Sequence, residues 1–237
     1  QTKNLWTGVF DGFSRIDGEA LREKHMVRMQ GHLGCRIRHK KHVVVFEGEY
    51  AGCESEGLEY DSIQAFGSKC LNSDLASIIE ANRLSNGYGL DVISAGDTIA
   101  FAMECYEKGI ITSSDTGGLE IKWGDPKVIL QLIEMTAFRR GFGDLLAEGC
   151  RKSAQALGRG AERYAMQIKG LEMDSADPRG EKSRALGYAV GARGCDHLRF
   201  LAMVPFSPED AVKLGFKPEF ADPDTSAEKG VFIKWSE

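Results

Sequence analysis

The stretch Ser85-Asn86-Gly87-Tyr88-Gly89-Leu90-Asp91-Val92-Ile93-Ser94 decides how this chain is read. Its two glycines interrupt any helix that enters it. Asp91 is the residue type that opens the next one, because a carboxylate accepts the orphan backbone N–H groups of a first turn. On the N-terminal side, Asn72-Ser73-Asp74 starts a segment in which Leu75, Ile78, Ile79 and Leu84 fall near one helical face, ending at Gly87. On the C-terminal side, Val92, Ile93, Ile99, Met103 and Tyr106 belong to a second helix, with Gly109 where a left-handed C-cap residue sits. The stretch is therefore a helix–turn–helix with a glycine-rich turn. Asp91 either caps the second helix or holds a polar heterocycle.

Working outward, the same punctuation recurs. Asp125-Pro126 pairs a cap with a proline at the first helical position, and Val128, Ile129, Leu132 and Ile133 form an apolar stripe up to Gly141. Asp144 to Leu157 continues the helical pattern and stops at Gly158, and Ser207-Pro208-Glu209-Asp210 starts another helix. Strand signals are few: His42 to Phe46 is a short β-branched run, and Ala165 to Met173 holds another. Lys217 to Lys229, rich in Pro, Asp and Lys, reads as an exposed excursion. The fold class is mainly α with few short strands, divided into 1–145 and 146–237.

Composition narrows the function classes. The 237 residues, 42% hydrophobic and 27% charged, suffice for a sizeable core. With 35 acidic and 30 basic side chains the net charge is −5, which disfavours a nucleic-acid binder. No apolar run approaches the roughly 20 residues that cross a bilayer, and the first residues do not read as a signal peptide. No nucleic acid and no membrane are expected as partners, and the expected location is cytoplasmic. Six cysteines without a Cys-x-x-Cys pair read as reduced thiols.

Four constellations carry candidate chemistry. In Gly31-His32-Leu33-Gly34-Cys35-Arg36-Ile37-Arg38-His39, the residues His32, Cys35 and His39 are spaced to close around one metal. The same stretch also reads as a solvated basic turn, or as a phosphate-binding patch through Arg36, Arg38, Lys40 and Lys41. The turn from Asn86 to Asp91 is the second. Gly191-Ala192-Arg193-Gly194-Cys195-Asp196-His197 sets an acid beside an imidazole that could transfer a proton near neutral pH, or that is simply a satisfied core histidine. Gly57-Leu58-Glu59-Tyr60-Asp61-Ser62 places two carboxylates around a tyrosine, a surface acidic turn unless a cofactor lies nearby.

Taken in order, these segments resemble the tungsten-containing aldehyde:ferredoxin oxidoreductase family. Glu59-Tyr60-Asp61 resembles its Gly-Pro-Glu-Tyr-Glu segment, with Leu58 in place of Pro. Asn86-Gly87-Tyr88-Gly89-Leu90-Asp91 resembles its first pterin motif, Asp-x-x-Gly-Leu-Asp. Met103 to Gly109, Arg140 to Gly149, Ile168 to Glu172, Asp177 to Gly180 and Arg193 to Leu198 are close to family text. The resemblance implies helical C-terminal-type domains of an enzyme that oxidises aldehydes to carboxylic acids. It also implies tungsten or molybdenum held by pterin dithiolenes (a tungstopterin or molybdopterin), a neighbouring [4Fe-4S] cluster, and ferredoxin as electron acceptor. By that resemblance His197 transfers a proton or positions substrate, and Asp61 or Glu59 activates water or orients the aldehyde. Asn86, Gly89, Leu90, Asp91, Arg193 and Gly194 would contact the cofactor.

The departures bear on the same expectations. The family's Cys-x-x-Cys-x-x-x-Cys is here His32, Cys35 and His39, which sets the [4Fe-4S] cluster apart from the other implied groups. Asn86 stands where Asp is usual, and the family's inter-subunit Glu-x-x-His falls on Glu80-Ala81-Asn82-Arg83, so the homodimer that the resemblance implies would lack its bridging metal. The family's N-terminal β-rich domain and second pterin motif are not found, so the expectation is a segment of a longer protein that is inactive alone. The competing expectation is a non-catalytic relative that kept the scaffold to bind a partner.

Overall fold

Several helices start at their capping residues. The computed structural model describes residues 1–198 and 207–236. In chain order the elements are α1 (Phe13–Ile16), α2 (Gly18–Lys24), β1 (Met26–Gln30), β2 (Lys40–Val44), β3 (Glu54–Glu56), α3 (Tyr60–Phe66), α4 (Leu75–Tyr88) and α5 (Val92–Glu107). They continue with α6 (Pro126–Ala137), α7 (Phe142–Leu146), α8 (Gly149–Leu157), β4 (Gln167–Ile168), β5 (Leu171–Glu172), α9 (Lys182–Val190), α10 (Pro208–Lys213) and α11 (Lys229–Ser236). The fold is mainly α. Asp74, Asp91, Asp125 and Ser207 each accept a first-turn backbone N–H of the helix they precede.

The chain divides into two units, Gln1–Met166 and Gln167–Glu237. The division read at 145/146 lies inside the first unit, within α7. The centre of that unit is α5, in which every residue from Gly96 to Cys105 is buried. A helix apolar nearly all round can only sit in the middle of a domain, and α3, α4, α6 and α8 surround it. It carries two buried acids: Asp97 is met by Lys69 at 2.5 Å, and Glu104 accepts from Asn4 Nδ2 at 2.6 Å. A small antiparallel sheet of order β1-β2-β3 lies at the edge, with His42 opposite Glu56 and Met29 opposite Lys41. Of that sheet only the β2 region carries a sequence signal, displaced by two residues.

Two local expectations are corrected. Asp144 to Leu157 is not one helix: α7 ends at Leu146 and α8 begins at Gly149, whose φ of +81° breaks the helical path. Lys217 to Lys229 is not a simple exposed excursion. Phe220 in that segment is fully buried and stacks on Phe216 at 4.7 Å, while the buried Lys229 ammonium donates to the Phe220 carbonyl at 2.7 Å. One aromatic anchor outweighs the polar composition around it. The Ala165–Met173 run becomes a hairpin, β4 and β5, turned by Lys169 and Gly170 at φ +57° and +94°, the double positive φ that a two-residue turn of this hand demands.

Candidate active site

The second unit gathers its polar side chains around Asp174, just after β5. Its Oδ1 accepts from His197 Nδ1–H at 2.8 Å, and its Oδ2 accepts from the Tyr188 hydroxyl of α9 at 2.5 Å. Its own backbone N–H donates to Cys195 Sγ at 3.3 Å, and the Arg184 guanidinium stands 3.9 Å from Oδ2. Asp174 is buried, whereas the His197 side chain is 35% exposed. Burial by itself pushes the Asp174 carboxyl up. The hydrogen bonds from His197 and Tyr188 outweigh it and bring the carboxyl down to about 2. Burial, then the Asp174 carboxylate, pushes the Tyr188 hydroxyl above its ordinary range, so it stays a donor.

This partner is invisible in the sequence around His197, where the adjacent acid is Asp196. Asp196 instead accepts from the Leu198 N–H at 2.9 Å and forms an ion pair with Arg193 at 3.0 Å, off hydrogen-bond geometry. The turn that presents His197 depends on Gly194, at φ +90°: a Cβ there would lie 2.0 Å from the Ile168 carbonyl oxygen. Close packing against the β4–β5 hairpin is thus sufficient reason for that glycine. The Arg193 side chain is 63% exposed.

In the first unit, Asn86 to Tyr88 are the end of α4 and Gly89 to Asp91 form the turn into α5. Gly89 is the left-handed C-cap at φ +74°, and Asp91 Oδ1 accepts the Ser94 N–H at 2.8 Å. Asn86 Nδ2 donates to the Asn82 carbonyl at 2.9 Å, which leaves its oxygen as an outward acceptor. Asp91 is exposed, Leu90 is half-buried, and a Cβ at Gly87 or Gly89 would meet open space. Carboxylate and amide oxygens beside an accessible backbone suit the amino and ring N–H groups of a pterin edge. The turn fits that group.

His32, Cys35 and His39 share the exposed loop between β1 and β2. The two imidazole centroids are 5.0 Å apart with planes tilted by 47°, while Cys35 Sγ turns to the Ile37 carbonyl at 3.8 Å. Among the described residues no group of three or more His, Cys, Asp or Glu side chains could hold a metal ion, so the structure does not bring His32, Cys35 and His39 together as a metal site. A [4Fe-4S] cluster is held by four thiolates, and Cys35 is the one exposed thiol among the described residues. The loop does not fit that cluster. Glu59, just before α3, pairs with Lys41 through Oε2 at 3.3 Å, and Asp61 sits in the first turn of α3, half-buried. These two acids and His197 belong to different units.

Comparison with known proteins begins with the fold. The chain aligns with a solved structure described as the active site complex BamBC of benzoyl coenzyme A reductase in complex with 1,5 dienoyl-CoA, at a TM-score of 0.65 and 24% identity, covering 91% of this chain and 32% of that one. That likeness is one of fold. Its sequence relatives are oxidoreductases by name: the tungsten-containing aldehyde ferredoxin oxidoreductase of Thermococcus kodakarensis is 40% identical over 86% of this chain and 33% of its own length. The protein of that name from Pyrococcus abyssi is 37% identical over 96% of this chain and 36% of its own length. The family model for aldehyde ferredoxin oxidoreductase, domains 2 and 3, matches residues 1–237, and the chain belongs to that family. It spans about a third of the length of these relatives.

Proposed function

We propose that the chain forms the helical part of a tungsten (or molybdenum) pterin enzyme that oxidises aldehydes to carboxylic acids and passes electrons to ferredoxin. The observation that carries this reading is the Asp174–His197 pair at 2.8 Å, within a chain of this family. When bound, the metallo-pterin supplies the two-electron redox chemistry. Asn86 and Asp91 would hold a pterin edge through their side-chain oxygens. Asp174 fixes the His197 tautomer by taking the Nδ1 proton, so the proton that changes hands resides on Nε2. Tyr188, held protonated, keeps the second Asp174 oxygen occupied and the carboxylate in place. Asp61, or Glu59 beside it, orients the aldehyde or activates water. No step is routed through an iron–sulfur cluster on the His32–His39 loop.

The test is aldehyde-dependent reduction of a viologen dye by the full-length protein purified without oxygen. His197→Ala is expected to retain tungsten and lower kcat/KM by about 10² to 10⁴. Unchanged turnover in that variant would remove His197 from the chemistry. A second reading, a non-catalytic scaffold, is favoured by the single thiol on the β1–β2 loop, and any aldehyde-dependent turnover eliminates it.

A further inference from the structure

The chain carries a net charge of −5, yet the stretch from Lys24 to Val45 holds Lys24, Arg28, Arg36, Arg38, Lys40 and Lys41 and none of the 35 acids. In the fold that stretch is the ribbon of β1 and β2 with its joining loop, and every residue from His32 to His39 is exposed. Lys40 pairs with Glu56, and Lys41 with Glu59. Arg28, Arg36 and Arg38 are exposed, and among the described residues none of the three forms an ion pair. Three unneutralised guanidinium groups on one exposed ribbon raise a local positive potential, which the acids elsewhere on the chain are too distant to cancel in salt.

Two further observations fall on the same ribbon. Val27 and Met29 on β1, and Leu33 and Ile37 on the loop, are exposed large apolar side chains interleaved with those arginines. A single exposed apolar residue is ordinary, but four along one ribbon beside unpaired arginines have the composition of a protein–protein interface. β1 is also an edge of its sheet. The other edge, β3, lies against α4, whereas among the described residues no strand flanks the outer side of β1. The ribbon has no Phe, Tyr or Trp, the side chains on which unstacked bases rest or that anchor a segment in a bilayer interface. Its chemistry suits a protein surface better than either.

We infer that the β1–β2 ribbon docks a protein with a carboxylate-rich face and, resting on the ferredoxin-dependent reading above, that this partner is the electron acceptor. The partner's carboxylates meet Arg28, Arg36 and Arg38, whose planar forks can each donate two hydrogen bonds to one carboxylate. Charge steers the encounter, and Val27, Met29, Leu33 and Ile37 exclude water once the two faces meet.

Calorimetric titration of the full-length protein, purified without oxygen, with an oxidised acidic ferredoxin over a range of salt tests this. The parent should bind the ferredoxin, and more weakly as salt rises. Arg28→Glu, Arg36→Glu and Arg38→Glu combined should weaken binding by about tenfold or more and flatten its salt dependence. Leu33→Ser with Ile37→Ser should also weaken binding but leave the salt dependence in place. Circular dichroism on each variant shows whether it is folded. Viologen-dependent turnover should be unchanged in both variants, while the KM for ferredoxin rises. A parent without viologen-dependent turnover would overturn the proposed function, and the calorimetry would still decide the surface. No ferredoxin binding, binding indifferent to the three charge reversals, or capture of anionic vesicles or single-stranded DNA by these arginines in place of ferredoxin would overturn the inference.

Discussion

Asp174 Oδ1 and His197 Nδ1 stand 2.8 Å apart, joining the end of the β4–β5 hairpin to the turn after α9. A buried carboxylate that fixes one ring nitrogen dictates which tautomer a histidine adopts and where its other nitrogen does chemistry. Asp174→Asn keeps the shape but replaces an obligate acceptor by an amide. Turnover should fall by about a hundredfold or more, mainly in kcat, and the pH profile of kcat should move. A merely structural Asp174 would leave that profile in place.

The same carboxylate makes stability depend on pH. Its folded pKa is brought down to about 2 from an ordinary 3.8. The stabilisation it contributes is therefore complete above the ordinary value and is lost as pH falls through the folded value. Between about pH 4 and pH 2 the chain should lose roughly 2 kcal/mol from this group. Urea unfolding across that window should show the loss, and Asp174→Asn should show less of it. An identical acid slope in the variant would remove Asp174 as its source.

Lys69 and Asp97 have fully buried side chains at the heart of the first unit, 2.5 Å apart. Lys69→Met strands a carboxylate in the core and should cost about 3 to 5 kcal/mol. The double variant Lys69→Met, Asp97→Leu should recover most of that, because two matched apolar side chains replace the pair. Strictly additive losses in thermal melts would show that the two residues are not coupled.

Asp91 caps α5 through the Ser94 N–H. Asp91→Ala should cost about 1 kcal/mol, and Asp91→Ser should restore the cap without restoring the charge. If the carboxylate also binds pterin, Asp91→Ser melts like the parent yet purifies with less tungsten. Full tungsten content in both variants would reduce Asp91 to a cap.

Much of the helical scaffold is legible in the chain because caps and stops are local. Asp74, Asp91 and Asp125 do their work within a turn, and residue type alone signals it. The sheet is less legible: β1 and β3 are short and half-exposed, and they become strands only by pairing with β2. The site shows the same split. His197 stands out by type, and its adjacent Asp196 is what the sequence offers as a partner, but the chain must fold to bring Asp174 and Tyr188 to it. The burial of Phe220 is hidden for the same reason, since its partners Phe216 and Phe232 meet it only in the folded unit.

The central claim, that this chain belongs to a working tungsten-pterin enzyme, is tested most directly by elemental analysis of the full-length protein made without oxygen. The expected result is close to one tungsten, or one molybdenum, per chain, co-purifying with pterin. Protein that is folded and contains neither metal would contradict it.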